Sequence, residues 1–215
     1  YNKAWLRDIY FMTRGFKYTG EWDVVQDTSR ALLKILEKHK DKITWVVGNK
    51  PYETWQFIHA RYNPETFEEY WEEWGNKQHD AVGEVLYLIA DCETSGHSVI
   101  ETEEDKALVQ MLVNYLHAIE YWHDADSGIW EENQEVRASS IGSVVRALTC
   151  ASKLPYITIP EGVIENGIKA LRALLPRETE NRFCDLALLT LIFPFEVTTE
   201  EETKTILSNV EYFLT

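Results

Sequence analysis

Three cysteines, Cys92, Cys150 and Cys184, are too few and too irregularly spaced for a disulfide framework or a zinc site. All three fall in apolar helical contexts, so reduced core thiols are expected. No apolar run approaches the roughly 20 residues that span a bilayer, which argues against a membrane role. Basic residues are also scarce. Lys and Arg number 21 against 36 Asp and Glu, and the net charge of -15 argues against a nucleic-acid partner, which would need clustered cations. There is no sustained period-2 alternation, no strand-turn-strand signal and no tight internal repeat. The N-terminus has no signal-peptide layout, an absence of little weight in a chain that opens without Met. A cytoplasmic location is the expectation.

What remains is an ordinary soluble composition with one excess. Hydrophobic residues make up 45% and charged residues 27%, while aromatics reach 13% with eight Trp. Indoles are costly to leave in water, so this number implies a large core or an aromatic-lined cleft. Residues 1–14 are apolar enough to be mostly buried, and Arg7-Asp8 is the charged exception. Such a pair must be mutually paired or face a cleft. Gly15 and Gly20 mark a turn.

Apolar spacing predicts an amphipathic helix from Trp22 to about Lys40. Residues 41–77 read as a long irregular connection, unusual in a compact domain unless functional. Further helices are expected at about Asp80–Cys92, from Thr102 to about His123, and over Ser139–Leu154. Two more follow, from Pro160 to Leu175 and, short and buried all round, over Asp185–Phe193. Thr102 with Asp105 resembles a capping box, and Thr199 with Glu202 forms one for a last helix towards Phe213. The chain is therefore all-α, built of helical hairpins whose long loops could gather at one end and carry a site.

The stretch Ser127-Gly128-Ile129-Trp130-Glu131-Glu132 lies in one of those loops. A carboxyl against aromatic surface is poorly solvated as an anion, so its pKa rises and it can donate a proton. The indole offers a flat face for a sugar ring. A buried Trp beside two solvated Glu would produce the same triplet, so the stretch alone leaves both readings open.

Several stretches, in order, resemble glycoside hydrolase family 15, the glucoamylase family, and the related domain of the phosphorylase kinase regulatory subunits. Trp5-Leu6-Arg7-Asp8 looks like the family's W-x-R-D. Arg61-Tyr62-Asn63 and Trp74-Gly75-Asn76-Lys77-Gln78-His79-Asp80 look like its K/R-F/Y-N and W-G-x-x-Q-x-D. Gly128-Ile129-Trp130-Glu131-Glu132 with Ser139-Ser140 is similar to its L-W-E-E and S-S pairing. Leu175-Pro176-Arg177, Asp185-Leu186-Ala187-Leu188-Leu189 and Phe193-Pro194 look more like the bacterial and phosphorylase-kinase branch.

The resemblance implies an (α/α)6 toroid of six hairpins with a sugar site at one end and no cofactor or metal. It implies Glu131 as the general acid, Arg7 and Asp8 on glucose hydroxyls, and Trp74 and Trp130 along the pocket. Glu132 would support the acid or bind the neighbouring sugar, while Gln78 and Asp80 would brace the groups that touch substrate. Inversion also needs a second carboxylate roughly 6.5 to 9.5 Å away. In the family that base comes late, and Glu200, Glu201 and Glu202 sit in a solvated helix cap unsuited to the task.

Residues 1–215 are accordingly expected to form one domain, the first half to two-thirds of a barrel. The other partner expected is an α-glucan, with the remaining barrel half or a second copy covering an open apolar edge. Two functions compete: an inverting glucan hydrolase whose base lies outside this sequence, and a non-catalytic glucan-binding or regulatory domain. A fragment whose Trp and Glu merely pack and solvate is the third reading.

Overall fold

The computed structural model describes residues 3–70, 72 and 74–214. Helices α1 (Leu6–Thr19), α2 (Trp22–Lys38), α3 (Lys40–Gly48), α4 (His79–Thr94) and α5 (Glu103–Ala118) are followed by α6 (Ala138–Ala151), α7 (Val163–Leu174), α8 (Leu189–Ile192) and α9 (Glu200–Leu214). They divide into two kinds by sequence pattern. In α4 every residue from His79 to Ala90 is buried, and α6 is almost as fully enclosed. Helices α2, α5, α7 and α9 bury one stripe and leave the other face to solvent, as amphipathic periodicity requires.

This division sets the architecture. The enclosed helices α4 and α6 pack in sequence between α1 and α8, which end the inner row with one side open, and the amphipathic helices pack outside them. Each hairpin runs inner to outer, so the helices form part of an α/α toroid. The contact between α4 and α6 is close: a Cβ on Gly83 would lie 2.6 Å from Ser143 Oγ, whose hydroxyl donates to Asp80 O at 2.9 Å. Only glycine permits that approach.

The alternation places the loops before α4, α6 and α8 at the same end as the start of α1. They form one connected surface. Strand β1 (Ala4–Trp5) pairs antiparallel with β2 (Arg61–Tyr62) in the first loop. Ser127 N donates to Lys77 O, and Ala138 N to Glu178 O.

Several expectations change. Residues 3–14 are not uniformly buried, because Phe11 and Met12 are exposed on α1, the terminal helix of the inner row. Gly15 lies inside α1, and only Gly20 ends it. The 41–77 stretch contains α3, whose Ile43 and Val46 add too short an apolar pattern to stand out. Helix α5 stops at Ala118, five residues before His123. The 185–193 segment is a short 3-10 turn and α8, with Leu186 and Phe193 exposed, so it is not buried on every side. Two strands of two residues each exist where none was expected. Cys92 and Cys150 are buried free thiols, whereas Cys184 is only partly covered. No helix among the described residues is long and apolar enough to cross a membrane.

Both capping boxes form. Thr102 Oγ1 accepts from Asp105 N at 3.0 Å while Asp105 Oδ2 accepts from Thr102 N at 2.9 Å, and Thr199 and Glu202 make the equivalent exchange. Thr102→Ala removes one partner and should cost about 1 kcal/mol. The expected fall in Tm is about 2–4 °C for a domain of this size, measurable by calorimetry.

Candidate active site

Arg7, in the first turn of α1, is the organising group. Its Nε donates to Asp80 Oδ2 at 2.7 Å and its Nη2 to Gln78 Oε1 at 2.6 Å. The same guanidinium donates to the backbone of the 119–137 loop, Nη2 to Gly128 O at 3.0 Å and Nη1 to Ile129 O at 3.1 Å. Burial opposes its charge, but Asp80, with Glu84 and Glu131, outweighs that cost, so it holds its proton more firmly than a free guanidinium. Gln78 and Asp80 thus act on Arg7 from the N-terminus of α4. Arg7 is paired with Asp80 rather than with its neighbour Asp8.

The loop that Arg7 grips is fixed from other sides too. Gly128 has φ 61°, and a Cβ there would lie 2.2 Å from Arg137 Cδ. Arg137 is buried and donates to Asn133 O at 2.6 Å and Asp126 O at 3.3 Å. Asp126 accepts from His79 N at 2.8 Å and from Ser140 Oγ at 2.9 Å. The next turn forces Glu131 to φ 60°, an uncommon conformation for a residue with a side chain. Backbone bonds from Glu131 N to Gly128 O and from Glu132 N to Ser127 O close it.

This turn separates three adjacent side chains. Glu131 points into a groove of about 500 Å3 lined by Lys3, Trp5, Asp8, Ile9 and Met12. Its Oε1 stands 3.6 Å from Arg7 Nη1. Burial raises its pKa, Arg7 pulls it down, and Asp8 pushes it up, with a net increase. Such a carboxyl keeps its proton to higher pH than a free one and suits a proton donor.

Trp130 and Glu132 turn elsewhere. Trp130 Nε1 donates to Asp185 Oδ1 at 2.7 Å, and Glu132 pairs with Arg182, which also holds Asp185. They line a separate groove of about 370 Å3 with Cys184 and Leu186. Trp74 lines a third cavity of about 670 Å3, its ring edge-on to Trp5 at 5.0 Å. Of the residues expected at one sugar pocket, Asp8 and Glu131 share the groove, with Arg7 directly behind Glu131. Trp74, Trp130 and Glu132 do not share it.

Sequence reasoning passed over Ile9 and Met12. Asp8, Ile9 and Met12 follow three- and four-residue spacing, which places them on one face of α1 below Trp5 at its N-cap, and that spacing was the available signal. The Ser139-Ser140 pair has a structural part. Ser139 Oγ donates to Glu178 Oε1 at 2.5 Å, while Ser140 holds Asp126, so each hydroxyl anchors a buried carboxyl at the start of α6. Burial raises Glu178 to about 8 despite those bonds.

A row of inner helices whose N-terminal loops gather at one end defines a helical α/α-toroid fold. Solved structures agree. A wild-type glycosidase matches with a TM-score of 0.76 at 16% identity, over 95% of this chain and 59% of that one. A glycosidase variant in complex with glucose matches with a TM-score of 0.74 at 18% identity, over 92% and 57%. Residues 1–155 match the model of glycosyl hydrolases family 15, and the chain belongs to that family. It is also 30% identical over 185 residues to the skeletal-muscle phosphorylase b kinase regulatory subunit alpha of Oryctolagus cuniculus. The Drosophila melanogaster protein described as a probable regulatory subunit alpha is 30% identical over 186 residues. These matches cover 77% of this chain but only 15% and 14% of those subunits, and the solved glycosidases are likewise longer than the part matched.

Glu178 makes a pH prediction. Its carboxyl stays protonated to about 8 in the folded chain but ionises near its ordinary value, about 4.3, when unfolded. Between those values the native state binds more protons, so its contribution to stability falls as pH rises. Glu178→Gln stays neutral, and urea denaturation from pH 5 to 8 should show wild type losing stability relative to it. Parallel pH curves would contradict a neutral buried Glu178.

Proposed function

We propose that the groove of Asp8 and Glu131 holds the non-reducing-end glucosyl unit of an α-glucan, with Glu131 giving its proton to the glycosidic oxygen. The observation that carries this is the placement of Glu131. It is a carboxyl of raised pKa, aimed into the groove by a left-handed turn that a half-buried Arg7 clamps. Asp8 offers acceptors for sugar hydroxyls, and Trp5 an apolar wall beside them. A solved glycosidase of this fold has been obtained in complex with glucose, which supports the sugar class.

Inverting hydrolysis also needs a carboxylate to activate water. Glu200 and Glu201 are exposed on α9, and Glu202 pairs with Arg172, so this segment remains unsuited to the role. The reading places the base on further hairpins that continue the inner row beyond α8 and cover the exposed Phe11, Met12 and Phe193. In this view residues 1–215 are one domain making up about two-thirds of the ring. The free thiols of Cys92, Cys150 and Cys184 support a reducing, cytoplasmic setting.

A second reading, a glucan-binding regulatory domain without turnover, is favoured by the kinship to proteins named as regulatory subunits. The engagement of Trp130 and Glu132 with Asp185 and Arg182 supports it as well.

Glucose release from maltooligosaccharides by a completed ring, beside acarbose calorimetry, separates these readings. The 215-residue chain should bind acarbose and release no glucose, and turnover by it would contradict a base placed elsewhere. In a completed ring that hydrolyses, Glu131→Gln should lower the rate by about 10²–10⁴-fold with binding retained. Undiminished hydrolysis would exclude Glu131 as the acid.

A further inference from the structure

The cavity lined by Trp74 is larger than the groove at Glu131 and lies across a thin wall from it. Trp74 faces the cavity and Trp5 the groove, with their rings 5.0 Å apart at 88°. Beside them Glu72, on the cavity side, pairs with Lys3, on the groove side, at 3.2 Å. Gln134, three residues after Glu131, reaches the same cavity from the 119–137 loop.

Trp55 at the cavity margin is 67% exposed, although its turn is rigidly held. The turn Thr54–Gln56 is closed by Gln56 Oε1, which accepts from Tyr52 N at 2.8 Å and Glu53 N at 2.9 Å. Asn76 Nδ2 donates to Thr54 O at 3.2 Å and ties the turn to the segment before α4. A fixed, outward indole of this kind is a stacking platform.

The polar groups here are already balanced against one another. Lys42 donates to both Glu69 oxygens at 2.6 Å, and Arg61 pairs with Glu72 at 2.7 Å. His59 Nδ1 accepts from Arg61 N at 3.1 Å, and burial lowers the ring to about 4, so it is neutral at ordinary pH. With Glu53 added, no net positive charge remains to hold an anion. Acceptor oxygens, amides and an open indole face suit a neutral polyhydroxylated ring.

We propose that this cavity is a second glucan-binding site, where Trp55 stacks on a sugar and Gln134 hydrogen-bonds it, holding a distal stretch of the polymer whose end lies at Glu131. The glucan identity rests on the reading given above for the Glu131 groove, whereas the site itself stands on its own geometry.

Calorimetry on the 215-residue chain tests it with two probes: deoxynojirimycin, a single ring sized for the groove, and maltoheptaose, long enough to reach the cavity. Trp55→Ala should weaken maltoheptaose by several-fold to about tenfold, the scale of one aromatic contact, and leave deoxynojirimycin within about twofold. Gln134→Ala, also at an exposed position, should act in the same direction. Maltoheptaose affinity unchanged in both variants would overturn the second site, and so would equal losses for both probes. If wild type binds maltoheptaose in a Trp55-dependent way but not deoxynojirimycin, the cavity stands and the groove reading falls.

Discussion

A single guanidinium joins three parts of this chain that are far apart in sequence. Arg7 comes from α1, Asp80 and Gln78 from the start of α4, and Gly128 and Ile129 from the loop before α6. A planar, permanently charged fork can serve all four partners at once, which an ammonium on a flexible stem cannot. Removing either member of a buried charged pair leaves the other uncompensated, at a cost of about 3–5 kcal/mol. The position of Glu131 follows from this clamp, because its turn closes on the residues that Arg7 holds.

The toroid supplies the clamp's components. The inner helices run in the same direction, since each is followed by an outer helix that returns the chain. Their N-termini and the loops before them therefore collect at one end. There Asp126 and Glu178, both deeply buried, are held by the serines that open α6. The local cost of such buried carboxyls is offset by the order they impose on two long loops.

Much of the fold was legible because its determinants are local. The stripe of α2, the capping boxes at Thr102 and Thr199 and the apolar runs of α4 and α6 each depend on residues within a few turns. Helix α3 was hidden because nine residues give too few periods, and the exposure of Phe193 depends on neighbours that sequence periodicity cannot supply. The site was legible only in part. Resemblance brought out Arg7, Asp8 and Glu131 together, yet it also grouped Trp130 and Glu132 with them. The backbone turn at φ 60° sends Glu131 away from its neighbours Trp130 and Glu132, and no feature of the W-E-E triplet announces a left-handed residue. Long-range pairing likewise decided that Arg7 bonds to Asp80, 73 positions away, rather than to adjacent Asp8.

Amide hydrogen exchange in Arg7→Lys tests the clamp most directly. A lysine can still face Asp80 but cannot also bond Gln78 Oε1, Gly128 O and Ile129 O. The account predicts that the amides of Glu131 and Glu132, which close the turn onto Gly128 and Ser127, exchange at least about tenfold faster, with those of α5 unchanged. Equal protection of Glu131 and Glu132 in wild type and variant would show that the turn holds itself, and that Arg7 does not place the proposed acid.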